Sequence, residues 1–270
     1  MQGVEMNNTY LKALRAENTM KNNCATADEL QAYLRLKGSS HNYYKCYSSL
    51  KRIIGIRDSQ ELYLSNGEKW NDIVDRENFN ENTNPYMNFG KCFSFSKDES
   101  VAMWMLYGGI DKKGGMIDFT KKSMQSILNV PTIQIGNFDN EKFEPVLELG
   151  KNQFEIYVTD VLYYSRNSSG YYINRSDESC SALPEQVFDK LNGCKKAYSW
   201  KYENECRLIV TVSKELLSDK CKMVRIDLKD IEMGKSFNRI YHGPNYPLDN
   251  NTYDSLPSKL ENTIDWSLRD

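Results

Sequence analysis

The residues best suited to chemistry stand in one short segment, Trp200-Lys-Tyr-Glu-Asn-Glu-Cys-Arg207. Glu203 and Glu205 lie two positions apart at the predicted start of a strand, so both carboxylates should face one side, which Arg207 continues. Two such carboxylates repel each other and are buried together only with cationic partners. The segment predicts either a solvated edge with an Arg–Glu pair or a catalytic pair. In the catalytic pair, one carboxylate stabilises developing positive charge and the other orients a nucleophile.

A second candidate is the aromatic stretch Tyr43-Tyr-Lys-Cys-Tyr-Ser48, which predicts a strand. Strand alternation places Tyr43, Lys45 and Tyr47 on one face. A packed aromatic strand explains this pattern without any ligand. The alternative is that Lys45 and Tyr47 hold an anionic or ring-containing ligand.

Serines and aromatic residues supply the remaining candidates. In Cys92-Phe-Ser-Phe-Ser96, Ser94 and Ser96 share a strand face, and Ser96 also suits the cap of the next helix. Trp104 and Tyr107 lie three apart on that helix, a spacing that is typical of a core stripe but would also suit stacking of a ring from a nucleotide ligand. Packing or capping alone would account for each of these positions.

Only two histidines, His41 and His242, occur among the 270 residues. They are too few for a His-rich metal site, and a hydrolase triad would have to use one of them. The seven cysteines are odd in number and never spaced as Cys-X-X-Cys, which predicts reduced cytoplasmic thiols rather than a zinc knuckle or a disulfide framework. No metal is expected, so carboxylates, lysine and tyrosine are the candidate working groups.

Charge and hydropathy narrow the range of partners. The 35 basic and 37 acidic residues give a net charge of −2. This balance does not support a broad nucleic-acid footprint, but it allows a local basic cleft at Lys45, Lys196 and Arg207. No stretch approaches the ~18 apolar residues of a membrane span, so a cytoplasmic protein with no membrane partner is expected. The nucleotide motifs GxGxxG and GxxxxGK[ST] are missing from the sequence.

Local patterns predict many short elements. Helices are expected over residues 7–22, 26–37, 49–56, 96–107, 121–129 and 184–196, and in part of the tail 248–266. Strands are expected over residues 42–47, 61–65, 91–95, 115–119, 155–164, 205–212, 222–226 and 237–241. Residues 66–90 and 165–182 should be loops. Thr26 and Glu29 form a capping box, and Gly38 and Gly55 should end helices.

Short strands interleaved with short helices indicate an α+β fold with a mixed or antiparallel sheet. A doubly wound parallel sheet would need regular βαβ units of ~30 residues, which the sequence does not show. We expect a helical N-terminal extension over residues 1–40 and a single α+β domain over residues 41–270.

Four blocks of residues resemble a large uncharacterised bacterial domain family. The matching positions are Tyr44-Lys-Cys-Tyr-Ser48, Leu62-Tyr-Leu-Ser65, Trp70-Asn-Asp72, Cys92-Phe-Ser94, Met103-Trp104, Tyr107-Gly108, Gly115-Met-Ile-Asp-Phe119, Val161-Leu-Tyr163, Lys196, Trp200, Tyr202-Glu203, Glu205 and Arg207. The resemblance covers about residues 42–243 and depends on block order and spacing. The chain departs from the family pattern at Leu106, where histidine is usual. The acidic residue that follows the Asn-Asp pair corresponds here to Asp75 or Glu77.

The order of the blocks is also similar to that of ADP-ribosyltransferases. In those enzymes a short mixed β fold binds NAD without a Rossmann motif, and a glutamate stabilises the oxocarbenium ion as nicotinamide leaves. The resemblance implies that Lys45 or Tyr47 holds NAD and that Ser94 orients the glutamate. It further implies that Glu205 is the charge-stabilising carboxylate and that Glu203 positions the acceptor. The enzymes have Arg or His at the position that is Lys45 here.

Three functions fit these residues. The first is an ADP-ribosyltransferase-like or NAD-glycohydrolase-like effector of bacterial defence or toxin systems, with NAD as cofactor and a protein or nucleic acid as acceptor. The second is a metal-independent enzyme that processes nucleic acids or nucleotides by surrounding a phosphate with charged groups. The groups concerned are Lys45, Lys196, Glu203, Glu205 and Arg207. The third is a non-enzymatic sensor or partner-binding domain whose aromatic residues form an interface.

Overall fold

The structure, a computed structural model, describes residues 26–80, 84–108, 114–168, 170–174, 180–231 and 240–243. The predicted helices over residues 7–22 and 248–266 lie outside the described residues, as does most of the predicted strand 237–241. Within the described ranges, no helix has both the length and the apolar character needed to cross a membrane.

The described helices are short, and side chains cap several of them. They are α1 (Ala27–Ser40), α2 (Leu50–Ser59), α3 (Ile73–Phe79), α4 (Val101–Tyr107), α5 (Lys121–Ile127) and α6 (Glu185–Asp189), with the 3-10 turns η1 (Lys151–Gln153), η2 (Tyr198–Glu203) and η3 (Lys214–Leu216). The Thr26 hydroxyl accepts a hydrogen bond from the Glu29 N–H, and the Glu29 carboxylate accepts one from the Thr26 N–H. The predicted capping box is therefore confirmed.

Fourteen strands lie in the described part of the chain. They are β1 (Tyr43–Ser48), β2 (Glu61–Ser65), β3 (Tyr86–Ser94), β4 (Gly115–Thr120), β5 (Thr132–Asp139), β6 (Lys142–Gly150), β7 (Phe154–Asp160), β8 (Leu162–Asn167), β9 (Gly170–Asn174), β10 (Cys180–Leu183), β11 (Lys195–Ala197), β12 (Glu205–Ser213), β13 (Met223–Asp227) and β14 (Ile240–His242). The pairing of β8 with β11 is parallel, and the other pairings among these strands are antiparallel.

Ten of these strands form one sheet, which forks at β3. Strand β12 pairs with one edge of β3 over its whole length, from Ser213 opposite Tyr86 to Glu205 opposite Ser94, and β7 follows β12. The other edge is shared, because β1 pairs with it at Ser94 and β2 pairs with it at Gly90. One branch continues from β1 to β4 and β14, and the other continues from β2 to β13, β5 and β6.

A second, smaller sheet follows β7 and has the strand order β10-β9-β8-β11. Its parallel pair places Lys196 of β11 opposite Tyr163 of β8. Leu30 and Leu34 of α1 pack with Phe188 of α6 in a hydrophobic cluster that includes residues of this sheet. The two sheets meet where the chain passes from β7 to β8 and from β11 through η2 to β12.

The main hydrophobic core covers one face of the large sheet. Tyr44, Phe93 and Leu208 belong to it, and helices α2 and α5 contribute isoleucines and a methionine from outside the sheet. Side chains alternate along a strand, so Lys45 and Ser94, the chain neighbours of Tyr44 and Phe93, point to the opposite face. That opposite face holds the polar residues of interest.

These elements confirm an α+β fold with a largely antiparallel sheet and short surrounding helices. The division into an extension over residues 1–40 and a domain over residues 41–270 stays a prediction. Helix α1, the described end of that segment, packs on β7, where Arg35 pairs with Glu155 at 2.6 Å and stacks on the Tyr157 ring.

Two glycines do not end helices as predicted. Helix α1 runs past Gly38. This glycine faces the backbone of Thr159, and an added Cβ would lie 2.7 Å from the carbonyl carbon of Thr159. Helix α2 runs past Gly55 and ends at Ser59, and its C-cap is Gln60, whose φ of 53° is left-handed. Close packing against Thr159 explains why residue 38 is a glycine. Gln60, rather than Gly55, provides the left-handed residue that ends α2.

Residues 66–90, predicted as one loop, contain helix α3 and the first part of β3. Asp72 caps the helix through its side chain. The ring of Phe79 is fully buried and fills the space beside Gly90, where an added Cβ would lie 2.7 Å from the ring. This long-range packing, which a composition rich in Asn and Gly does not reveal, places α3 against the sheet.

Other predicted elements are wrong in extent. The strand expected over residues 155–164 is broken at Val161 between two sheets, and the helix expected over residues 184–196 ends at Asp189. Residues 165–182 contribute to β8, β9 and β10 rather than to a loop, and the hairpin of β5 and β6 is absent from the predicted strands. Ser96 is not a cap, since Ser100 caps α4. Tertiary pairing decides these elements more than local preference does.

Candidate functional site

A row of polar side chains crosses four adjacent strands on the face opposite the main core. Asp118 of β4 stands opposite Lys45 of β1. Lys45 stands opposite Ser94 of β3, and Ser94 stands opposite Glu205 of β12. Opposed residues in antiparallel strands have Cα atoms about 4.5–5.5 Å apart and side chains on the same face. The structure thus brings together three positions that the sequence selects in separate segments.

Ser94 lies at the centre of this row with an unsatisfied hydroxyl. The side chain is 1% exposed, and among the described residues its Oγ has no hydrogen-bond partner. Ser94 therefore makes no hydrogen bond to Glu205, and no contact supports the orienting role that the resemblance implies for it. Lys45, on the other side of Ser94, donates a hydrogen bond to the carbonyl of Lys97 at 2.7 Å. A buried hydroxyl without a protein partner is free to form a hydrogen bond with a ligand or with water.

Lys196 of β11 joins the two glutamates. Its Nζ donates to Glu203 Oε2 at 2.5 Å and to Glu205 Oε2 at 2.9 Å. Glu203 ends η2 and precedes the strand, and Asn204, with a left-handed φ of 44°, turns the chain before Glu205 begins β12. The prediction that strand alternation aligns the two carboxylates is therefore wrong. The turn at Asn204 and the shared lysine bring them together instead.

Four residues hold the side chain of Arg207. Its Nε donates to Glu205 Oε1 at 2.6 Å, and its two terminal nitrogens donate to the carboxylate of Asp75 at 2.8 and 2.6 Å. The carbonyl of Gly193 accepts a further hydrogen bond at 3.0 Å, and the guanidinium lies 4.8 Å from the centre of the Trp70 ring. A bidentate, stacked guanidinium is firmly fixed. A phosphate would reach it only by displacing Asp75.

We call Asp75, Lys196, Glu203, Glu205 and Arg207 the carboxylate cluster. Its burial overturns the prediction of a solvated edge, since Glu203, Glu205 and Arg207 are 1%, 3% and 0% exposed. Burying charges is costly unless they are paired and hydrogen-bonded, and each of these three is. The cluster lies where the large sheet meets the small one, because β12 supplies Glu205 and Arg207 and β11 supplies Lys196.

The two glutamates differ in their protonation. Burial raises the pKa of Glu203 to about 7, with Glu205 adding to the effect and Lys196 opposing it. Burial acts in the same direction on Glu205, but Arg207 and Lys196 outweigh it and hold the pKa of that carboxyl well below its usual value. Environments that separate the pKa values of two neighbouring carboxyls separate their chemical roles. Glu205 is a permanent anion, and Glu203 can exchange a proton near neutral pH.

Of the aromatic candidates, Tyr107 reaches the cluster, donating to Glu203 Oε1 at 2.7 Å. Trp104 is fully buried, and its indole donates to Glu99 at 3.1 Å. Its ring meets the Tyr47 ring edge-on, with centroids 5.0 Å apart, in a small apolar cluster. Protein covers both of these rings, so stacking a ligand on them would require them to move. Their part in ligand binding stays a prediction.

An exposed cysteine, Cys92, lies beside the cluster. It lies two positions before Ser94 on β3 and stands opposite Arg207 of β12. Its side chain is exposed, yet burial of its surroundings raises the pKa of the thiol, with Glu205 adding to the effect. Cys92 therefore shows from which side solvent approaches Glu205.

Neither histidine belongs to the carboxylate cluster. His41 Nε2 lies 2.6 Å from Asp160 Oδ1, and its ring stacks on Phe95. His242 is buried in β14, and burial lowers its pKa. Across the described ranges, no group of three or more His, Cys, Asp or Glu side chains is arranged to hold a metal ion. Acid–base chemistry within the cluster falls to the glutamates.

The structure places three further residues at the site, Asp75, Tyr163 and Cys92, to which the sequence analysis assigns no function. Asp75 is one of the two acidic positions, with Glu77, that the family resemblance offers, and its carboxylate contacts Arg207. The hydroxyl of Tyr163 accepts the backbone N–H of Glu205 at 2.9 Å. Tyr163 and Cys92 both stand in blocks that carry the resemblance, which is the signal by which they could have been found.

No protein-family model, curated protein or solved structure matches this chain. The fold and the site therefore define its class in structural terms, as an α+β protein with a buried carboxylate cluster at the junction of two sheets. Any function has to be argued from these residues.

Proposed function

We propose that this protein cleaves the N-glycosidic bond of NAD, as an ADP-ribosyltransferase-like or NAD-glycohydrolase-like effector of bacterial defence or toxin systems in the cytoplasm. The observation that carries the proposal is the row of Lys45, Ser94 and Glu205 across three adjacent strands, with Glu203 beside it. The ADP-ribosyltransferases that the block order resembles use an early basic strand, a middle serine strand and a late glutamate strand in these roles.

Glu205 supplies the fixed negative charge. As the bond between the ribose C1′ and nicotinamide breaks, positive charge develops on the ribose, and a preorganised anion stabilises it. Arg207 holds Glu205 Oε1 at 2.6 Å, so the carboxylate does not have to reorganise during the reaction. Its depressed pKa keeps it ionised at neutral pH. None of these steps needs a metal ion.

Glu203 supplies the base. A pKa of about 7 suits a group that must take a proton from the attacking nucleophile at neutral pH. Tyr107 binds Oε1 and orients the carboxylate, and Lys196 binds Oε2 while no ligand is bound. Water as the nucleophile gives hydrolysis of NAD, and a protein or nucleic-acid nucleophile gives transfer of ADP-ribose. In this proposal, Lys45 and the Ser94 hydroxyl bind the phosphate and ribose of the nucleotide.

The test is NAD consumption and nicotinamide release by the purified protein, alone and with a cell lysate that supplies acceptors. The wild type should consume NAD, and Glu205→Gln should lower the rate by ~10²–10³. Glu144→Gln, on the exposed strand β6, is the matched control and should leave the rate unchanged. The proposal fails if the wild type consumes no NAD under either condition.

The two alternatives predict other results. A metal-independent nucleic-acid enzyme would cleave RNA or single-stranded DNA in the presence of EDTA, and Glu205→Gln would abolish the cleavage. This alternative is less well supported, because Arg207 is buried and bound to Asp75 and so does not face a phosphate. In a non-enzymatic sensor, Glu205→Ala would lower stability or assembly while neither protein turned over any of these substrates.

A further inference from the structure

The ammonium group of Lys196 sits in a box made of two carboxylates and a ring. Glu203 and Glu205 each accept a hydrogen bond from it, at 2.5 and 2.9 Å. The Trp200 ring lies on another side, with its centre 4.8 Å from Nζ. Carboxylates combined with an aromatic face are the groups by which proteins bind organic cations. The box is therefore built for a cation, and a side chain of the same protein occupies it.

The charges of the carboxylate cluster favour a cation as the replacement for this lysine. The cluster contains three carboxylates and two cationic groups, and Arg207 is already bound to Asp75 and Glu205. A neutral ligand that displaced Lys196 would leave the three carboxylates facing one guanidinium, which burial makes costly. A cationic ligand would restore the balance.

Two neighbouring side chains point to a ligand at this place. The Ser94 hydroxyl, 1% exposed and without a partner among the described residues, stands directly opposite Glu205 and on the same face. The exposed thiol of Cys92 lies on the same face of β3, two residues before Ser94, so solvent approaches from this side. A ligand entering past Cys92 would meet both Glu205 and the unsatisfied hydroxyl of Ser94.

We propose that the space between Glu203, Glu205 and the Trp200 ring is a subsite for an organic cation, and that Lys196 fills it when no ligand is bound. The inference rests on the proposed function in one respect: the natural ligand is then the positively charged nicotinamide ring of NAD. Lys196 acts as an internal competitor, which the cationic ring displaces on binding. Substrate charge, rather than ring shape alone, decides entry.

The first experiment removes the competitor. Lys196→Ala lacks the atoms of propylammonium, so propylammonium should bind the variant and raise its melting temperature by about 2–4 °C, whereas the neutral isostere n-propanol should not. Lys195→Ala is the matched control, because this neighbouring buried lysine donates to the carbonyl of Phe188. The control should show no difference between the two additives. An equal response of both variants overturns the subsite.

If Lys196→Ala does not fold unaided, recovery on refolding becomes the readout. Recovery in propylammonium chloride but not in sodium chloride supports the subsite, and equal recovery in the two salts overturns it. The folded variant compares a cation with a neutral molecule of the same shape, and the refolding assay compares a cation that fits the box with one that does not. The folded variant and the refolding assay therefore answer the same question.

The second experiment uses the wild type and measures displacement of Lys196. N-methylnicotinamidium carries the charge of the NAD ring, and nicotinamide is its neutral counterpart. The cation should expose Lys196 and raise its acetylation several-fold relative to Lys195, as measured by mass spectrometry, whereas nicotinamide should not. An equal effect of the two compounds, or none, overturns the inference. NAD turnover without this response refutes the subsite alone, and the response without NAD turnover refutes the NAD proposal alone.

Discussion

Both carboxylate oxygens of Asp75 accept hydrogen bonds from Arg207, a residue 132 positions away in sequence, at 2.8 and 2.6 Å. Arg207 in turn holds one oxygen of Glu205 at 2.6 Å. A short helix from an Asn-rich segment thus fixes, through one guanidinium, the carboxylate that carries the proposed chemistry. The stability of the fold and the geometry of the site are linked through this contact.

Asp75→Asn should destabilise the protein strongly, because it leaves the buried Arg207 without its bidentate partner. Breaking one side of a buried pair costs about 3–5 kcal/mol, and urea denaturation would measure the loss. Glu141→Gln is the control, since the Glu141–Lys51 pair is exposed on both sides and should contribute nothing measurable. Equal effects of the two substitutions would show that Arg207 is stabilised without Asp75.

Glu203 should make stability depend on pH in a defined direction. Its pKa is about 7 in the folded protein against an ordinary value of 4.5, so between these values only the folded state keeps the proton. The stability that Glu203 contributes is full below the ordinary pKa and is lost as the pH rises through 7. The unfolding free energy of the wild type, relative to Glu203→Gln, should fall by about 1–3 kcal/mol between about pH 5 and about pH 8. A constant difference would contradict the raised pKa.

Ser94→Ala should raise stability, because the native hydroxyl is buried without a partner. Relieving an unsatisfied buried group is worth about 1–3 kcal/mol. Ser123→Ala is the matched control, since that equally buried hydroxyl pairs with Thr120 Oγ1 at 2.8 Å and its loss should destabilise. Thermal unfolding of both variants gives the comparison. If Ser94→Ala is more stable but impaired in NAD turnover, the hydroxyl is kept for its ligand.

The two helical glycines should respond oppositely to alanine. Nothing lies within 4 Å of a Cβ added at Gly55, so Gly55→Ala should stabilise α2 by about 0.5–1 kcal/mol. A Cβ at Gly38 would lie 2.7 Å from the backbone of Thr159, so Gly38→Ala should push α1 from β7 and cost about 1–3 kcal/mol. Denaturation midpoints of the two variants would decide. A stabilising Gly38→Ala would mean that α1 adjusts without loss of packing.

Local rules predict well where the cause is local. The capping box at Thr26 and the faces of β1 follow from spacing alone, and both appear in the structure. Strand alternation does not explain the convergence of Glu203 and Glu205, because a left-handed Asn204 and a lysine from another sheet bring them together. The alternation of side chains along a strand predicts neither the turn at Asn204 nor the contact with Lys196.

Long-range contacts account for most of what the sequence does not disclose. Asp75 becomes part of the site because Phe79 packs α3 onto the sheet beside Gly90. Trp104, chosen for its spacing with Tyr107, is instead buried against Tyr47. The type of a residue and its neighbours in sequence do not say whether a ring will face a ligand or another ring.

The fork at β3 also determines how the site can open. The branch that carries Lys45 joins β3 through the single pair Lys45–Ser94, whereas β12 follows β3 along its full length. Hydrogen exchange should therefore be slowest along the β3–β12 ladder, and the junction at Ser94 should open in smaller, independent steps. The distance between Lys45 and Glu205 therefore depends on the single β1–β3 bridge on one side of Ser94 and on the continuous β3–β12 ladder on the other side. We therefore expect a ligand to widen the site at that bridge while the ladder that holds Glu205 stays intact.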